Sequence, residues 1–534
     1  MLKRDFSEIK KRKTFAIISH PDSGKTTITE KILLLGNIIR CSSINRIKKS
    51  NKNLKSDWMK IEQERGITVT TSVVQFFYGK HVINLLDTPG HEDFSEDTYR
   101  ILTAVDFCLI IIDSSKGVED RTKKLMEVVS LHNIPILTFI NKIDREGIST
   151  IFLLDQIEKE LEIFCSPIVW PLGRGGSLKG IYNFQNSSFI SRNIKGSILT
   201  NEKQKKLEFI NIEESLKSIL KKKFEFDIFL DFKKELKLVK KKYFSFSVDN
   251  FLDGIITPVF FGSALHSIGI APMFDFLIKY APTPKKKKSD VRIVFSNEKK
   301  FSGFVFKIQA NMDLRHRDRI AFLRIVSGKY FSGIKLKQTR TGKFFIIRKA
   351  IYCLGNERKI VNKAYPGDII GICNNNSIKI GDTFTEGEQI KFLGIPNFSP
   401  EFFCSVSLKN PMKKKQLSKG LTQMFEEGAI QIFKPIVSNC IILGAVGKLQ
   451  FDVISRRLQI EYQVEIVLKK VNIVAIRWVF CNDIKKLRFF KNNNSMQLAF
   501  DNEDYLVYIA TSLFELKMIV NKNPNIIFKK FREC

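Results

Sequence analysis

Strand-like and helix-like patterns alternate through the first half of the chain. Thr14 to Ser19 is a short β-branched and apolar run that breaks into a loop, and a helix is predicted from about Lys25. Thr68 to Tyr78 and His81 to Leu86 read as two strands joined by Gly79-Lys80. Phe107 to Ile112 and Ile134 to Ile140 are continuous apolar runs, the pattern of strands buried on both faces. Helical patterns follow over roughly Asp120 to His132 and Thr150 to Glu162, and a last strand and helix are predicted at Pro258 to Gly262 and Ala271 to Tyr280. This alternation predicts a mostly parallel sheet with helices on both faces. Between about Cys165 and Asp253 the pattern weakens into a Lys-, Phe- and Glu-rich stretch, read as an insertion with mostly solvated charge.

Ala281-Pro282-Thr283-Pro284, with four lysines behind it, reads as a linker. Beyond it, short strands alternate with Gly-containing turns: Gly303 to Ile308, Ile320 to Ser327, Ile334 to Thr339 and Phe344 to Ile347. That pattern predicts a small β-barrel. After Phe392 helices and strands mix, with helices expected at Lys413 to Phe425 and Gly447 to Leu458. The expected division is 1–283 for the first domain, 284–290 for the linker, 291–391 for the barrel and 392–534 for an α+β domain or pair of subdomains.

A chain of 534 residues, 44% hydrophobic, has enough apolar mass for several cores. Its 88 Lys plus Arg against 55 Asp plus Glu give a formal charge of +33. Such an excess favours a polyanionic partner such as RNA. Compositional drift toward Lys, Ile, Asn and Phe is the competing origin of the same excess. The nine cysteines form no Cys-x-x-Cys pair, which fits reduced cytosol better than a disulfide framework. Met1 to Lys13 shows no signal-peptide pattern, and the apolar runs are too short for a membrane span, so a cytoplasmic protein without a membrane partner is expected.

The chemistry lies in four ordered segments. Ser19-His20-Pro21-Asp22-Ser23-Gly24-Lys25-Thr26 sits between a buried strand and a helix start, where backbone N–H groups cradle phosphates. Lys25 is expected on the β- and γ-phosphates and the Thr26 hydroxyl on Mg²⁺. Ser19 stands where the pattern usually has Gly. Thr68, in Arg65-Gly66-Ile67-Thr68, is the candidate second Mg²⁺ ligand, on a loop ordered by the γ-phosphate. In Asp87-Thr88-Pro89-Gly90-His91, Asp87 would hold Mg²⁺ through water and the Gly90 N–H would sense the γ-phosphate. His91 would orient or polarise the attacking water, with a plain surface histidine as the alternative. Asn141-Lys142-Ile143-Asp144 follows a buried strand; the Asp144 carboxylate would accept the N1–H and N2 amino donors that guanine has and adenine lacks. Ser263 and Ala264, in Gly262-Ser263-Ala264, would offer backbone N–H groups to guanine O6. Together these predict an α/β P-loop GTPase domain followed by a β-barrel and an α+β C-terminal domain. No Gly-Gly-Gln tripeptide occurs, which argues against peptidyl-tRNA hydrolysis by the chain itself.

With these motifs in place the sequence resembles the translational GTPases and, within them, the peptide chain release factor three family. The resemblance is carried by Phe15 to Asp22, Lys55-Ser56-Asp57-Trp58-Met59, Glu92 to Arg100, Val118-Glu119-Asp120-Arg121-Thr122, Phe304 to Asp313, Ala364-Tyr365-Pro366-Gly367-Asp368 and Gly444-Ala445-Val446-Gly447. It fades over about 165–253, and Cys41 to Asn53 departs from the family's Gly-containing pattern. The resemblance implies a ribosome-stimulated hydrolase of GTP to GDP, and a monomer is the default for a factor that visits the ribosome. Such a factor promotes recycling of the stop-codon-reading class-I release factors. The alternatives are an elongation-type or ribosome-protection GTPase, or a ribosome-binding protein with degenerate turnover.

Overall fold

The computed structural model describes residues 3–38, 71–191, 210–211, 226–310, 319–354, 357–373, 377–395, 399–438, 440–481 and 483–530. Thr68 and its neighbours Arg65 to Ile67, the 41–53 stretch and Lys55 to Met59 lie outside the described residues.

The first domain is built on a seven-stranded sheet. Its order is β2 (Ser72–Tyr78), β3 (His81–Asp87), β1 (Arg12–Ser19), β4 (Phe107–Asp113), β5 (Ile136–Asn141), β11 (Ile256–Phe261) and β6 (Phe164–Pro167). Only the β2–β3 hairpin is antiparallel. Every residue of β1, β4, β5 and β11 is buried, as continuous apolar runs between two helical layers require. The chain runs from β1 outward to β3, then crosses to β4 on the other side of β1. Strand order therefore reverses beside β1, the position where α/β sheets open a ligand crevice. Register brings the strand ends together there: Ile17 faces Asp87, Ser19 faces Ile111, Asp113 faces Asn141 and Ile140 faces Phe261.

Two stretches differ from expectation. The region beginning near residue 165 is not all peripheral, because β6 closes the main sheet beside β11. Trp170 in β7 (Val169–Leu172) is fully buried and packs edge-on against Phe261 at 5.2 Å, so a large aromatic anchors this region to the core. β7 then begins a separate antiparallel sheet with β8 (Gly180–Asn183), β9 (Ser188–Ser191) and β10 (Ile210–Asn211). The segment after Ala281 is likewise no free tether. Lys13 Nζ donates to the Ala281 carbonyl, the Lys285 N–H to Asp106 Oδ1 at 3.0 Å, and Lys287 Nζ to the Thr103 carbonyl at 2.7 Å. Lys285 and Lys287 are held because acceptors at the end of the 95–102 helix and the start of β4 meet them.

Residues from Ser302 to Thr385 form an eight-stranded antiparallel sheet around its own core of Val305, Leu323, Tyr330, Leu336 and Phe384. Its long strands, Ser302–Ala310 and Arg319–Ser327, carry register shifts at Ser302/Gly303 and Val305/Lys307. Such irregularities bend strands toward a barrel. Past residue 400 a single eight-stranded sheet spans two α+β halves, joined where Gln431–Pro435 pairs with Leu498–Asp501. Helices Lys414–Glu426 and Lys448–Tyr462 cover one half, and Ile484–Asn493 and Leu513–Lys522 the other. The barrel seats on the first domain through buried ion pairs, Arg12 with Asp368 at 2.9 Å and Arg324 with Asp106 at 2.6 Å. The Tyr365 ring lies 4.4 Å from the Arg12 guanidinium. Among the described residues no helix is long and apolar enough to cross a membrane.

Candidate functional site

The loop from Ser19 to Gly24 leaves β1 and enters the helix Lys25–Leu35. Asp22 and Gly24 take left-handed backbone angles, φ +63° and +89°. Such winding gathers successive N–H groups into an anion-binding nest at a positive helix end. Gly24 is required twice over, since a Cβ there would also stand 2.4 Å from Asn141 Nδ2. The Ser19 hydroxyl donates to the His20 carbonyl at 3.0 Å, so the serine replacing the usual glycine turns its oxygen into its own loop.

Lys25 and Asp87 meet at the carboxyl ends of β1 and β3. Lys25 Nζ donates to Asp87 Oδ1 at 2.5 Å, with the carboxylate fully buried. Among the described residues Asp87 Oδ2 has no hydrogen-bond partner, and neither has Ser23 Oγ nor Ser114 Oγ. A buried carboxylate oxygen and hydroxyls left in this way suit a bound polar ligand. Thr26 is half-buried in the first turn of the helix. The Thr88 hydroxyl donates to the Ile17 carbonyl at 2.7 Å, and Arg121 donates to the Pro89 carbonyl at 3.2 Å. These bonds fix the turn that brings Gly90 to the phosphate loop, where a Cβ on Gly90 would stand 3.7 Å from the Pro21 Cα. His20 is buried, neither nitrogen has a hydrogen-bond partner among the described residues, and Glu119 lies 3.8 Å away. Burial lowers its pKa, Glu119 opposing, so the imidazole is neutral near pH 7.

The base-side segment is held by cross-links. Asn141 Nδ2 donates to the Ser23 carbonyl at 2.8 Å, and Asn141 Oδ1 accepts the Ala264 N–H at 2.9 Å. One side chain thus ties the phosphate loop to the loop after β11. Lys142, at φ +68°, donates to the Asp22 carbonyl at 2.5 Å and to Asp113 Oδ2 at 2.7 Å. Ile143 is buried and its N–H donates to the Gly262 carbonyl at 3.3 Å. Asp144 Oδ2 lies 3.8 Å from His266 Nε2, with the carboxylate largely buried. The Ser263 and Ala264 N–H groups, expected on guanine O6, are engaged within the chain: Ser263 N–H donates to the Ile268 carbonyl at 3.0 Å and Ala264 N–H to Asn141 Oδ1 at 2.9 Å. Loop closure and the Asn141 cross-link use both donors.

His91 stands at the start of the short turn Glu92–Phe94. Its Nδ1 accepts the Asp93 N–H at 3.2 Å, and its ring meets Phe94 edge-on at 6.3 Å. With Nδ1 accepting, the neutral tautomer carries its proton on Nε2.

Asp113 and His266 were not anticipated. Burial pushes the Asp113 carboxyl up, but hydrogen bonds from Lys142 and Ser115 outweigh that and hold it below the usual range. An Asp closing the apolar run Phe107 to Ile112 and followed by two serines was the available signal. His266 had none.

Residues 10–283 match the family described as Elongation factor Tu GTP binding domain, 300–387 match Elongation factor G domain 2, and 392–520 match Class II release factor RF3, C-terminal domain. The chain is 52% identical over 526 residues to "Peptide chain release factor 3" of Buchnera aphidicola subsp. Acyrthosiphon pisum strain 5A, covering 98% of each chain. It is 51% identical to the protein of that name from strain Tuc7, again over 98% of each. A crystal structure of a protein from Thermus thermophilus shares the fold at TM-score 0.68 and 21% identity, covering 88% of this chain and 70% of that one.

Proposed function

Because the chain belongs to the peptide chain release factor 3 family, and is therefore a GTP hydrolase of translation termination that works on the ribosome, we propose that the crevice beside β1 is its guanine-nucleotide site and His91 its catalytic group. The observation that carries this reading is the gathering of Lys25, Asp87, Asn141 and Asp144, from three separate segments, at the carboxyl ends of β1, β3 and β5.

Lys25 leaves Asp87 for the β- and γ-phosphates when nucleotide enters, which frees a carboxylate already buried. Mg²⁺ fits that place: Asp87 Oδ2 is buried without a partner among the described residues, and a hydroxyl stands at Thr26 in the first helical turn. Thr26, Thr68 and Asp87 would hold the ion, which would supply neutralisation of phosphate charge when bound. A neutral His20 leaves Lys25 as the loop's cation. Asp144 reads the guanine edge and Lys142 lays its stem along the base. His91 orients the attacking water once the ring turns from its own backbone.

In the cell the factor binds after peptide release, acts as a monomer in the cytoplasm, and speeds departure of the class-I release factors. The test is GTP turnover alone and with ribosomes stalled at a stop codon carrying a class-I factor, scoring that factor's departure in parallel. Stimulated turnover with faster departure is expected. His91→Ala is expected to keep GTP affinity and lose the stimulated rate; an unchanged rate would return His91 to the surface.

A further inference from the structure

Two of the sequence motifs that the nucleotide site does not use come together: Asp93 of Glu92 to Arg100 lies against Gly447 of Gly444 to Gly447 and bonds Leu449 just beyond it, 356 positions along the chain. Asp93 Oδ2 accepts the Leu449 N–H at 2.6 Å, in the first turn of the helix Lys448–Tyr462 of the C-terminal domain. Gln450 Oε1 takes the two preceding N–H groups, Val446 at 2.8 Å and Gly447 at 3.1 Å. The helix start therefore has an acceptor of its own and a second one, negatively charged, from another domain. A carboxylate at a helix N-terminus is favoured by both the free N–H groups and the dipole.

The approach is close enough to select residue type. Gly447 has an extended backbone that any residue could adopt, yet a Cβ there would stand 2.2 Å from the Asp93 Cβ and 2.4 Å from its Cα. Glycine is present because the two domains touch, not because the turn demands it.

Asp93 has a second contact on the opposite side. Its own N–H is the donor that caps His91 Nδ1. One residue thus holds the His91 ring with its backbone N–H and the C-terminal domain with its side chain, whose Oδ1 also stands 3.8 Å from His91 Nδ1. The following helix, Ser95–Leu102, is gripped as well: Lys307 of the barrel reaches Asp97 at 3.2 Å, and Arg100 donates to the Gly428 carbonyl of the C-terminal domain at 3.3 Å. The 92–94 turn cannot move alone while these bonds hold.

We propose that Asp93 is a positioning residue that latches the His91 turn to the C-terminal domain. While the latch is closed, His91 stays capped on Asp93 and turnover by the free factor is restrained. Displacement of the C-terminal domain opens it. The inference rests on the reading of His91 as the catalytic group.

Asp93→Ala keeps the backbone N–H that caps His91 but removes the carboxylate, which cuts the link between domains and also takes away the Oδ1 that stands 3.8 Å from His91 Nδ1. Gly447→Ala attacks the same link from the other side. Both are expected to raise kcat for ribosome-free GTP hydrolysis about fivefold or more, the low end of coupling between two sites, with KM for GTP unchanged. Asp93→Asn keeps an acceptor for Leu449 and is expected to restore most of the restraint. Adding His91→Ala to Asp93→Ala is expected to cancel the rise. If Gly447→Ala does not fold, Asp93→Asn carries the test beside Asp93→Ala: it removes the charge near His91 but keeps an oxygen for Leu449, so a restored restraint assigns the rise to the lost link. A free kcat unchanged in Asp93→Ala, or a rise that survives removal of His91, overturns the latch. If Asp93→Ala has no effect while His91→Ala lowers stimulated turnover, the latch alone falls. If His91→Ala leaves stimulated turnover intact, the catalytic reading falls and takes the latch with it.

Discussion

Replacing Asn141 by Ala tests whether the nucleotide pocket is pre-organised by one side chain. The substitution removes the bonds to the Ser23 carbonyl at 2.8 Å and from the Ala264 N–H at 2.9 Å, at a site only 2% exposed. Two neutral hydrogen bonds are worth about 2 kcal/mol net, and a buried N–H left without an acceptor costs about 1–3 kcal/mol more. If about 2 kcal/mol of this falls on holding the two loops together, Kd rises about thirtyfold. The assay is competition of GDP, GTP and XTP against a fluorescent guanine nucleotide. All three are expected to weaken by the same factor, because the loss lies in the frame of the pocket and not in base reading. Asn141→Asp is expected to bind no better than Asn141→Ala: it still accepts from Ala264 but sets a carboxylate oxygen against the Ser23 carbonyl. Wild-type affinity in Asn141→Ala, together with a lowered melting temperature, would refute the pre-organisation argument and leave Asn141 a packing residue.

Three further predictions follow from the same geometry. Lys25→Ala should abolish binding of GDP and GTP and also destabilise the nucleotide-free protein, since stripping one partner from a buried pair costs about 3–5 kcal/mol. Adding Asp87→Asn should recover the melting temperature in calorimetry but not the binding. Asp144→Asn should move preference from guanine toward xanthine nucleotides, because the amide donates to the xanthine carbonyl; retained GTP selectivity in a competition assay would contradict the base-reading role. Burial lowers the Lys287 pKa to about 8 from an ordinary 10.5, with Asp106 opposing. The folded state thus gives up this proton before the unfolded state does, and stability should rise as pH increases from about 8 toward 10.5. Melting curves of wild type and Lys287→Met should diverge in that window and run parallel below it.

Much of this protein is legible in local sequence. The phosphate loop, Asp87 to His91 and Asn141 to Asp144 each follow an apolar run, and burial on both faces fixes such runs as central strands with their chemistry at the ends. Element boundaries there agree within a few residues, as with the helix Lys25–Leu35 and the strand Phe344–Ile347. The pattern failed where a neighbour distant in sequence decides the environment. The stretch with Lys285 and Lys287 reads as a linker until the Asp106 carboxylate and Thr103 carbonyl appear beside it. The 165–253 stretch read as an insertion, yet Trp170 lies in the core because Phe261 meets it. In the site, the sequence determined which residues have the right chemistry, since each motif is a short run beside its own strand. Tertiary structure alone decided how they are joined: Lys25 to Asp87, Asn141 to two loops, Lys142 to Asp113, and Asp93 to Leu449 of another domain. Each of these bonds joins residues between 29 and 356 positions apart. No periodicity or spacing along the chain encodes which distant donor an acceptor will meet; that is settled when the sheet and the three domains pack.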